Sequence, residues 1–536
     1  MMWISGQENY SNMVCLVVVM LVCSALAQRG ATKERQTGRL LVVPMDGSHW
    51  TGLKAVAEEM GRRGHSVLVL IPEVSLLLDS GKHYSTKKFA VPYKKDLINK
   101  ITAGITHQLS GTNEGLIERV SDLLNHIMTI MNFMLSTSES IFFNEELMEF
   151  LRKEEFDAVL TDPVMPTGAI LAFNLSLPAV YMLRGMPCGM EAKATGCPDP
   201  PSYVPRFYTK HTDRMCFSER VVNTLVYFFE PVMCKLFCWQ FEDVASRFMQ
   251  RSVNLMEILN TAAVWLLRSD FTMEFPKPLA PNMVLIGGLN CAVSSPLEPD
   301  FLKFVEEAEH GIIVFSLGTF VPKIPEEKAA IFFQAFSRIP QRVLWRYTGK
   351  YSEKVPDNVK LMNWIPQNDL LGHPNTRAFI THGGTHGIYE GICHGVPMLM
   401  MPLFGDQGDN VHRTVSRGVG VALNFYNITV DVLLDALHDV INNSSYKERM
   451  MKLSALHNDR PVQPLDLAVY WTEYVMRHKS TDHLRLAGHD LYWFQYHSLD
   501  VLAFLLVVVV IVITVMIKCC AASLRCCRKL QKRKQE

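Results

Sequence analysis

The chain has 536 residues, of which 48% are hydrophobic and 20% charged. That is length for about two to four domains of ordinary globular composition, which argues against wholesale disorder, a collagen-like fibre or a multi-span membrane protein. Lys+Arg and Asp+Glu number 53 each, but residues 518–536 hold seven basic side chains against the single acid Glu536. The remaining body carries the compensating negative charge and has no basic surplus that would point to nucleic acid as a partner.

In chain order, residues 13–27 form an apolar run closed by Ala25-Leu26-Ala27, which reads as a signal peptide spanning 1–27, cleaved before Gln28, with Met13 as an alternative start. Leu40–Val43 reads as a buried strand, followed by a loop over Pro44–Trp50, a helix through Ala55–Met60, and a strand at Val67–Ile71. Another strand is expected at Phe156–Thr161, ending in Asp162-Pro163. Residues 97–150 and 165–190 are apolar and rich in methionine (128, 131, 134, 148, 165, 182, 186, 190), a side chain that adapts to apolar ligands of several shapes and equally to ordinary core packing. The Pro- and Gly-rich stretch Pro276–Pro299 reads as a linker.

A second series of strands follows at Ile312–Ser316, Val343–Trp345, Val359–Met362, Ala378–Thr381, Met398–Met401 and Gly420–Leu423. Short β-branched runs alternating with helical stretches indicate parallel α/β layers. The expected fold is α/β, with two facing Rossmann-like domains at 28–290 and 291–475, a membrane-proximal connector at 476–498 and one transmembrane helix at 499–517. Val501–Ile517 is uncharged and, at 1.5 Å per residue, about 25 Å long, near the lower limit for a bilayer span. The basic tail 518–536 then belongs in the cytosol, and the body on the lumenal side. Lys532 and Lys534 stand fifth and third from the end, as in a dilysine retrieval signal of the endoplasmic reticulum.

Thirteen cysteines are present. Cys15 and Cys23 fall in the signal peptide, and Cys519, Cys520, Cys526 and Cys527 lie where palmitoylation occurs. The lumenal set (188, 197, 216, 234, 238, 291, 393) is odd, so pairing within the chain leaves at least one thiol. Their spacing fits no zinc pattern, and no His-Glu-x-x-His occurs. Sequons at Asn174, Asn427, Asn442 and Asn443 are candidate glycan sites.

The densest chemistry lies in residues 364–410. The strand Ala378–Thr381 stops at His382-Gly383-Gly384 and a helix follows. Glycines allow close approach of a ligand, and a helix N-terminus offers free N–H groups to a diphosphate. His382 and His386 add hydrogen bonds, Glu390 lies two turns on with geometry for a vicinal diol, Trp364 offers a face for a flat base, and Asp406-Gln407 suits sugar hydroxyls. In the first domain, His49 and Asp162 each follow a strand. A neutral imidazole oriented by a carboxylate is a base for a hydroxyl nucleophile.

This 47-residue stretch resembles the nucleotide-sugar motif of the UDP-glycosyltransferases. With Asp46-Gly-Ser-His49-Trp50 and Cys197-Pro-Asp-Pro-Pro-Ser-Tyr203, the chain is most similar to vertebrate UDP-glucuronosyltransferases of the 1-type subfamily, across nearly its whole length. The resemblance implies a two-Rossmann, inverting, metal-independent GT-B enzyme with UDP-glucuronate as co-substrate and no resident cofactor. It places Trp364 and Gln367 at the uridine and Glu390 at the ribose. Ser316, Thr381, His382, Gly383, Gly384 and His386 fall along the diphosphate, and Asp406 and Gln407 at the sugar. Arg346 is a further donor-site candidate and Arg268 a candidate for the glucuronate carboxylate. His49 would be the general base and Asp162 its orienting partner. The implied acceptors are small lipophilic phenols, alcohols, carboxylic acids or amines, and oligomers with itself or related chains fit the family. Another UDP-sugar as donor, a non-catalytic membrane partner of related transferases, and a lipid-carrier glycan synthase are the competing readings.

Overall fold

The computed structural model describes residues 37–109, 116–291 and 294–533. The expected signal peptide and the last three residues of the tail lie outside these. Two parallel sheets organise the body. The first contains β1 (Arg39–Val43), β2 (Ser66–Pro72), β3 (Ser85–Phe89), β4 (Ala158–Thr161), β5 (Ala179–Leu183), β6 (Ala262–Leu267) and β7 (Met283–Leu285), in the order β3-β2-β1-β4-β5-β6-β7. The second contains β8 (Ile312–Ser316), β9 (Arg342–Arg346), β10 (Val359–Met362), β11 (Thr376–Thr381), β12 (Met398–Met400) and β13 (Gly420–Ala422), in the order β10-β9-β8-β11-β12-β13.

Strand order reverses between β1 and β4 and again between β8 and β11, and such switch points open a crevice beyond the carboxyl ends of the strands. Register sets what reaches each crevice. Val43 pairs with Thr161, so the chain leaves β1 and β4 at the same level, and Thr381 pairs with Ser316 in the second sheet. Both sheets are covered on two faces. Trp265 and Tyr181 meet edge-on at 4.9 Å beneath the first, and Phe315 stacks on Trp345 at 4.6 Å beneath the second. Each is fully buried, and burial of an aromatic of this size contributes about 1.5–3 kcal/mol.

Several elements differ from the sequence expectation. The first helix, Ser48–Arg62, begins two residues before the end of the expected loop, so His49 lies in its first turn. β5 and β6 fall in apolar stretches where no strand was expected. Within the stretch read as a linker, Met283–Leu285 forms the edge strand β7, pairing with Trp265–Leu267. A strand of three residues is too short for periodicity to register.

The helix Pro464–His478, placed by sequence in the second domain, crosses back to the first. Ala468, Val469, Val475 and Met476 join the core above β1 and β4, and Arg63 pairs with Asp466. Its apolar stripe is completed on the first sheet. The C-terminal helix Leu499–Arg533 runs past residue 517 into the basic tail, and it is long and apolar enough to cross a membrane, with none of its most apolar window buried. Two disulfides join Cys188 to Cys234 and Cys291 to Cys393, leaving Cys197, Cys216 and Cys238 free in the body.

The helix carrying His49 is clamped at its far end. A Cβ on Gly61 would stand 1.7 Å from the carbonyl oxygen of His83. Alanine favours a helix over glycine by about 1 kcal/mol, yet Gly61→Ala is expected to destabilise the protein by about 1–3 kcal/mol through this overlap. Thermal unfolding in detergent reads the sign, and a raised Tm would show that the β2–β3 connection yields freely.

Candidate active site

The two crevices face each other across a cleft of about 610 Å³. It is lined by His49 and Arg268 from the first domain and by Ser316, Arg346, Trp364, Gln367, Thr381, His382, Gly384, His386, Glu390, Asp406 and Gln407 from the second. Asp162 lies behind His49, and Gly383 forms the turn beneath the cleft.

On the first-domain wall, the His49 Nδ1 is 2.7 Å from Asp162 Oδ2. Asp162 is buried, and its other oxygen accepts the N–H of Val164 at 3.0 Å. An ionised carboxylate only accepts, so Nδ1 carries the proton and Nε2 presents a lone pair to the cleft. Gly47, just ahead of the helix, has φ +87, and a Cβ there would sit 2.2 Å from Phe320 Cζ of the second domain. Glycine therefore permits both the turn and the close approach of the two domains. Asp46 ties this turn down by accepting the N–H groups of Gly47, Leu76 and Leu77 at 2.7, 2.6 and 3.0 Å.

On the opposite wall, the helix Thr385–Cys393 starts at Gly384 without a side-chain cap, leaving its first N–H groups open to an anion. Gly383 has φ +85, and a Cβ there would meet Val411 Cγ2 at 2.4 Å. Asn410 Nδ2 donates to the Gly383 carbonyl at 3.2 Å and to Asp406 at 2.8 Å, joining the turn to the candidate sugar-binding loop. Gln407 spends its carbonyl on the N–H groups of Leu403 and Phe404, at 2.8 and 3.1 Å, and so shapes that loop. Trp364 is 67% exposed, with the Arg346 guanidinium 5.4 Å from its ring centre. Arg346 also donates to the carbonyl of Gly318.

Glu390 accepts from the Gln367 amide. Burial pushes its carboxyl up to about 7, with the Gln367 hydrogen bond opposing. His382 is pushed down to about 4 by burial, and its Nδ1 is buried without a partner. Both groups favour their neutral forms because the wall is dry.

His386 turns toward the first domain. Its Nε2 lies 2.6 Å from Arg268 Nη1 and 3.1 Å from the Ser48 carbonyl, and its Nδ1 is 2.7 Å from Asn290 Nδ2. Burial, then the charges of Arg268 and His49, push this imidazole down to about 3. A neutral ring is what the adjacent guanidinium tolerates.

Sequence reasoning missed Arg184, just past β5, which lines the cleft and donates from Nη2 to Glu274 and, at 3.0 Å, to Asn410 Oδ1. It also missed Asn290, hidden in the stretch read as a linker. An arginine immediately after the apolar run Ala179–Leu183 was the available signal. Of the methionine-rich stretches, Met134 and Met165 cluster with Met45, which lines the cleft, whereas Met148, Met182, Met186 and Met190 belong to the sheet core.

The solved structures similar to this chain share its fold. The spinosyn forosaminyltransferase SpnP aligns at TM-score 0.58 and 18% identity over 82% of this chain and 100% of its own. A rice (O. sativa) Os79 variant in complex with UDP aligns at 0.57 and 13% over the same shares. Among curated proteins, UDP-glucuronosyltransferase 1A1 of Mus musculus is 48% identical over 472 residues, 88% of each chain. UDP-glucuronosyltransferase 1A6 of the same species is 50% identical over 87% of this chain and 88% of its own, and the 1A1 protein of Homo sapiens is 47% identical over 88% of both. The family model described as "UDP-glucoronosyl and UDP-glucosyl transferase" matches residues 38–534. The chain belongs to this family, and it is a GT-B glycosyltransferase that draws on a UDP-sugar.

Proposed function

We propose that this protein transfers glucuronate from UDP-glucuronate to hydroxyl groups of small lipophilic acceptors, with carboxyl and amino groups as further acceptors, and that it works with inversion on the lumenal face of the endoplasmic-reticulum membrane. One observation carries the reaction: the His49–Asp162 pair presents a free Nε2 to the same cleft whose far wall holds the open helix N-terminus.

In this reading the acceptor hydroxyl gives its proton to His49 Nε2 as its oxygen bonds to the anomeric carbon. The bond from that carbon to the diphosphate oxygen breaks, and UDP leaves with the electron pair. Attack from one wall and departure toward the other convert an α-linked donor into a β-linked product. Asp162 stabilises the imidazolium that forms, and His49 returns its proton to water.

The leaving diphosphate would rest on the N-terminus of Thr385–Cys393 with Ser316, Thr381, His382 and His386 beside it. Trp364 and Gln367 would hold the uridine, Glu390 the ribose, Asp406 and Gln407 the sugar hydroxyls, with Arg346 beside the uridine platform. The chemistry asks for no metal, since these groups meet the developing charge. Arg268 supports glucuronate in particular. It is buried, burial lowers its pKa, and among the described residues its close side-chain partner is the neutral His386 rather than a carboxylate. A desolvated cation of this kind favours an anionic ligand. Met45, Val164, Pro187, Phe207 and Phe320 give the acceptor side its apolar lining.

Membranes bearing the protein, supplied with simple phenols, a chelator and one donor at a time, test this reading. Glucuronide from UDP-glucuronate alone is expected, and conjugates from UDP-glucose, UDP-galactose or UDP-N-acetylglucosamine instead would overturn the donor assignment. His49→Ala is expected to lower turnover of hydroxyl acceptors ~10²–10⁴-fold while leaving UDP affinity intact. Asp162→Asn should cost about 10³-fold or more by removing the charge that fixes the tautomer, and a rate near that of the unmodified protein would make the carboxylate structural.

Glu390 supplies a pH test. A carboxyl raised to about 7 is neutral below that pH, and only its ionised form accepts from both ribose hydroxyls. Affinity for a UDP-sugar, whose diphosphate diester does not titrate in this range, should therefore rise as pH passes upward through about 7. The rise should disappear in Glu390→Gln, and its persistence in that variant would place its origin elsewhere.

A further inference from the structure

The helix Phe217–Met249 inverts the usual distribution of side chains. In its first half the protein-facing side is polar, and apolar core residues follow at Phe241, Val244 and Ala245. Asn223 is fully buried, donating to the carbonyls of Pro201 and Val204 at 2.7 and 2.9 Å and accepting the Arg206 N–H at 2.7 Å, and buried Glu230 pairs with Arg206. Its outer side is apolar. Val221, Leu225, Phe228, Phe229, Val232 and Leu236 are 42–68% exposed and recur every three or four residues, so they form one stripe. Between Val221 and Trp239 the charged residues are Glu230, which is spent inward, and Lys235. Scattered exposed apolar side chains are ordinary on a protein surface, but a continuous stripe of this length marks an interaction surface.

The occupant follows from what adjoins the stripe. The Cys188–Cys234 disulfide ties this helix to the segment leading into the helix Met190–Thr195, and Cys238 Sγ lies 3.9 Å from Met190 Sδ. The connector that leads to the C-terminal span lands on the same corner. Leu486 packs on the first-domain core that includes Met190 and Cys234, and His489 lies against Gly196 just past that short helix. Tyr492, Trp493 and Phe494 follow, all exposed, immediately before the span begins at Leu499. Aromatic side chains in that position mark the water–lipid boundary. The stripe thus adjoins the segment that delivers the chain to the bilayer. Exposed Arg214 and Arg220 stand at its start, placed for lipid phosphates, and Lys235 can extend its amine to the same level.

We infer that the outer face of Phe217–Met249 is a second membrane contact, lying in the plane of a phospholipid surface. The helix does not cross the bilayer. Its Asn223, Glu230 and Cys234 are held by the protein, which leaves only one side to meet lipid. This contact is independent of the C-terminal span and of the reaction proposed above.

The test uses the full chain in phosphatidylcholine vesicles containing a phospholipid with a photoactivatable diazirine in its acyl chain, with adducts mapped by mass spectrometry. Peptides of the C-terminal span are the internal positive control. Lipid adducts within residues 217–239 are expected as well, and they should fall several-fold in a Phe228→Glu, Phe229→Glu double variant. The unmodified chain decides the matter alone, so a misfolded variant would not obscure it. Adducts confined to the span would overturn the inference. Protein–protein cross-links through Lys235, formed by a bifunctional amine reagent in a parallel sample that shows no lipid adducts at residues 217–239, would also overturn it, assigning the stripe to a second copy of the chain.

Discussion

The cleft depends on one partly buried carboxylate. Asp270 follows β6 of the first sheet, and its Oδ2 lies 2.6 Å from His457 Nδ1 and 3.1 Å from Arg460 Nη2, both on the segment that closes the second domain. Its backbone N–H donates to the Tyr389 hydroxyl at 2.7 Å. Burial alone would raise this carboxyl, but the hydrogen bond and charge of His457, with help from Thr272 and Arg460, bring it down to about 2. It therefore keeps its charge at any ordinary pH. Tyr389 sits between Ser48-facing His386 and Gln367-bound Glu390 on one short helix, so the Asp270 contact fixes where that helix stands relative to His49. Arg460 also donates to the Gly287 carbonyl at 2.8 Å, and the Cys291–Cys393 disulfide holds the far end of the same helix. An unpaired ion at such a depth would be costly, so partners from both domains must be present together.

That arrangement explains what the sequence revealed and what it hid. The second-domain wall was legible because it is local. Trp364 to Gln407 lie within one stretch, and strand, glycine turn and helix follow one another there as the chemistry requires. His49 and Asp162 were legible for a related reason, since each follows an apolar run whose end is easily located. Arg184, Asn290 and Glu274 were not. Arg184 meets Asn410 across 226 residues, and Arg268 meets His386 across 118. No periodicity encodes such a meeting, which depends on how β5, β6 and the linker pack. The methionine-rich stretches show the converse. Their composition suited a flexible pocket, yet Met148, Met182, Met186 and Met190 are core residues because β5 and the helices beneath it consume them.

The donor wall also shows how a charged ligand can be held without a matching count of charged side chains. His382 and His386 are neutral, and Glu390 is poised near neutrality, all because burial penalises their ionised forms. In the proposed binding mode, the diphosphate meets backbone N–H groups and the neutral ring of His382, whereas both nitrogens of His386 are engaged by Arg268, Ser48 and Asn290. Preoriented dipoles in a dry site stabilise developing charge without reorganising as it appears. A lysine at the same place would bind the donor and the departing UDP alike, which lowers the energy of the bound ground state as well as that of the transition state. Of the cleft's guanidiniums, Arg184 is paired with Glu274 and Asn410, Arg346 stands beside Trp364, and Arg268 reaches the first turn of the helix through the neutral His386.

The path of the chain after the second sheet bears on how this cleft is presented to a membrane. Were Pro464–His478 part of the second domain, the span would hang from the UDP-sugar side. Instead the helix returns to the first sheet, where Lys479 pairs with Asp157 and Thr481 donates to the Ala263 carbonyl at 2.8 Å. Leu486 then adds to the first-domain core. The C-terminal helix is thus fastened to the domain that holds His49 and most of the apolar lining of the cleft, and the second domain is joined to that domain through contacts such as that of Asp270. Lipophilic molecules partition into a bilayer, and soluble nucleotide sugars do not. Fastening the apolar side of the cleft to the apolar C-terminal helix suits the proposed reaction, in which one substrate partitions into a bilayer and the other stays in water.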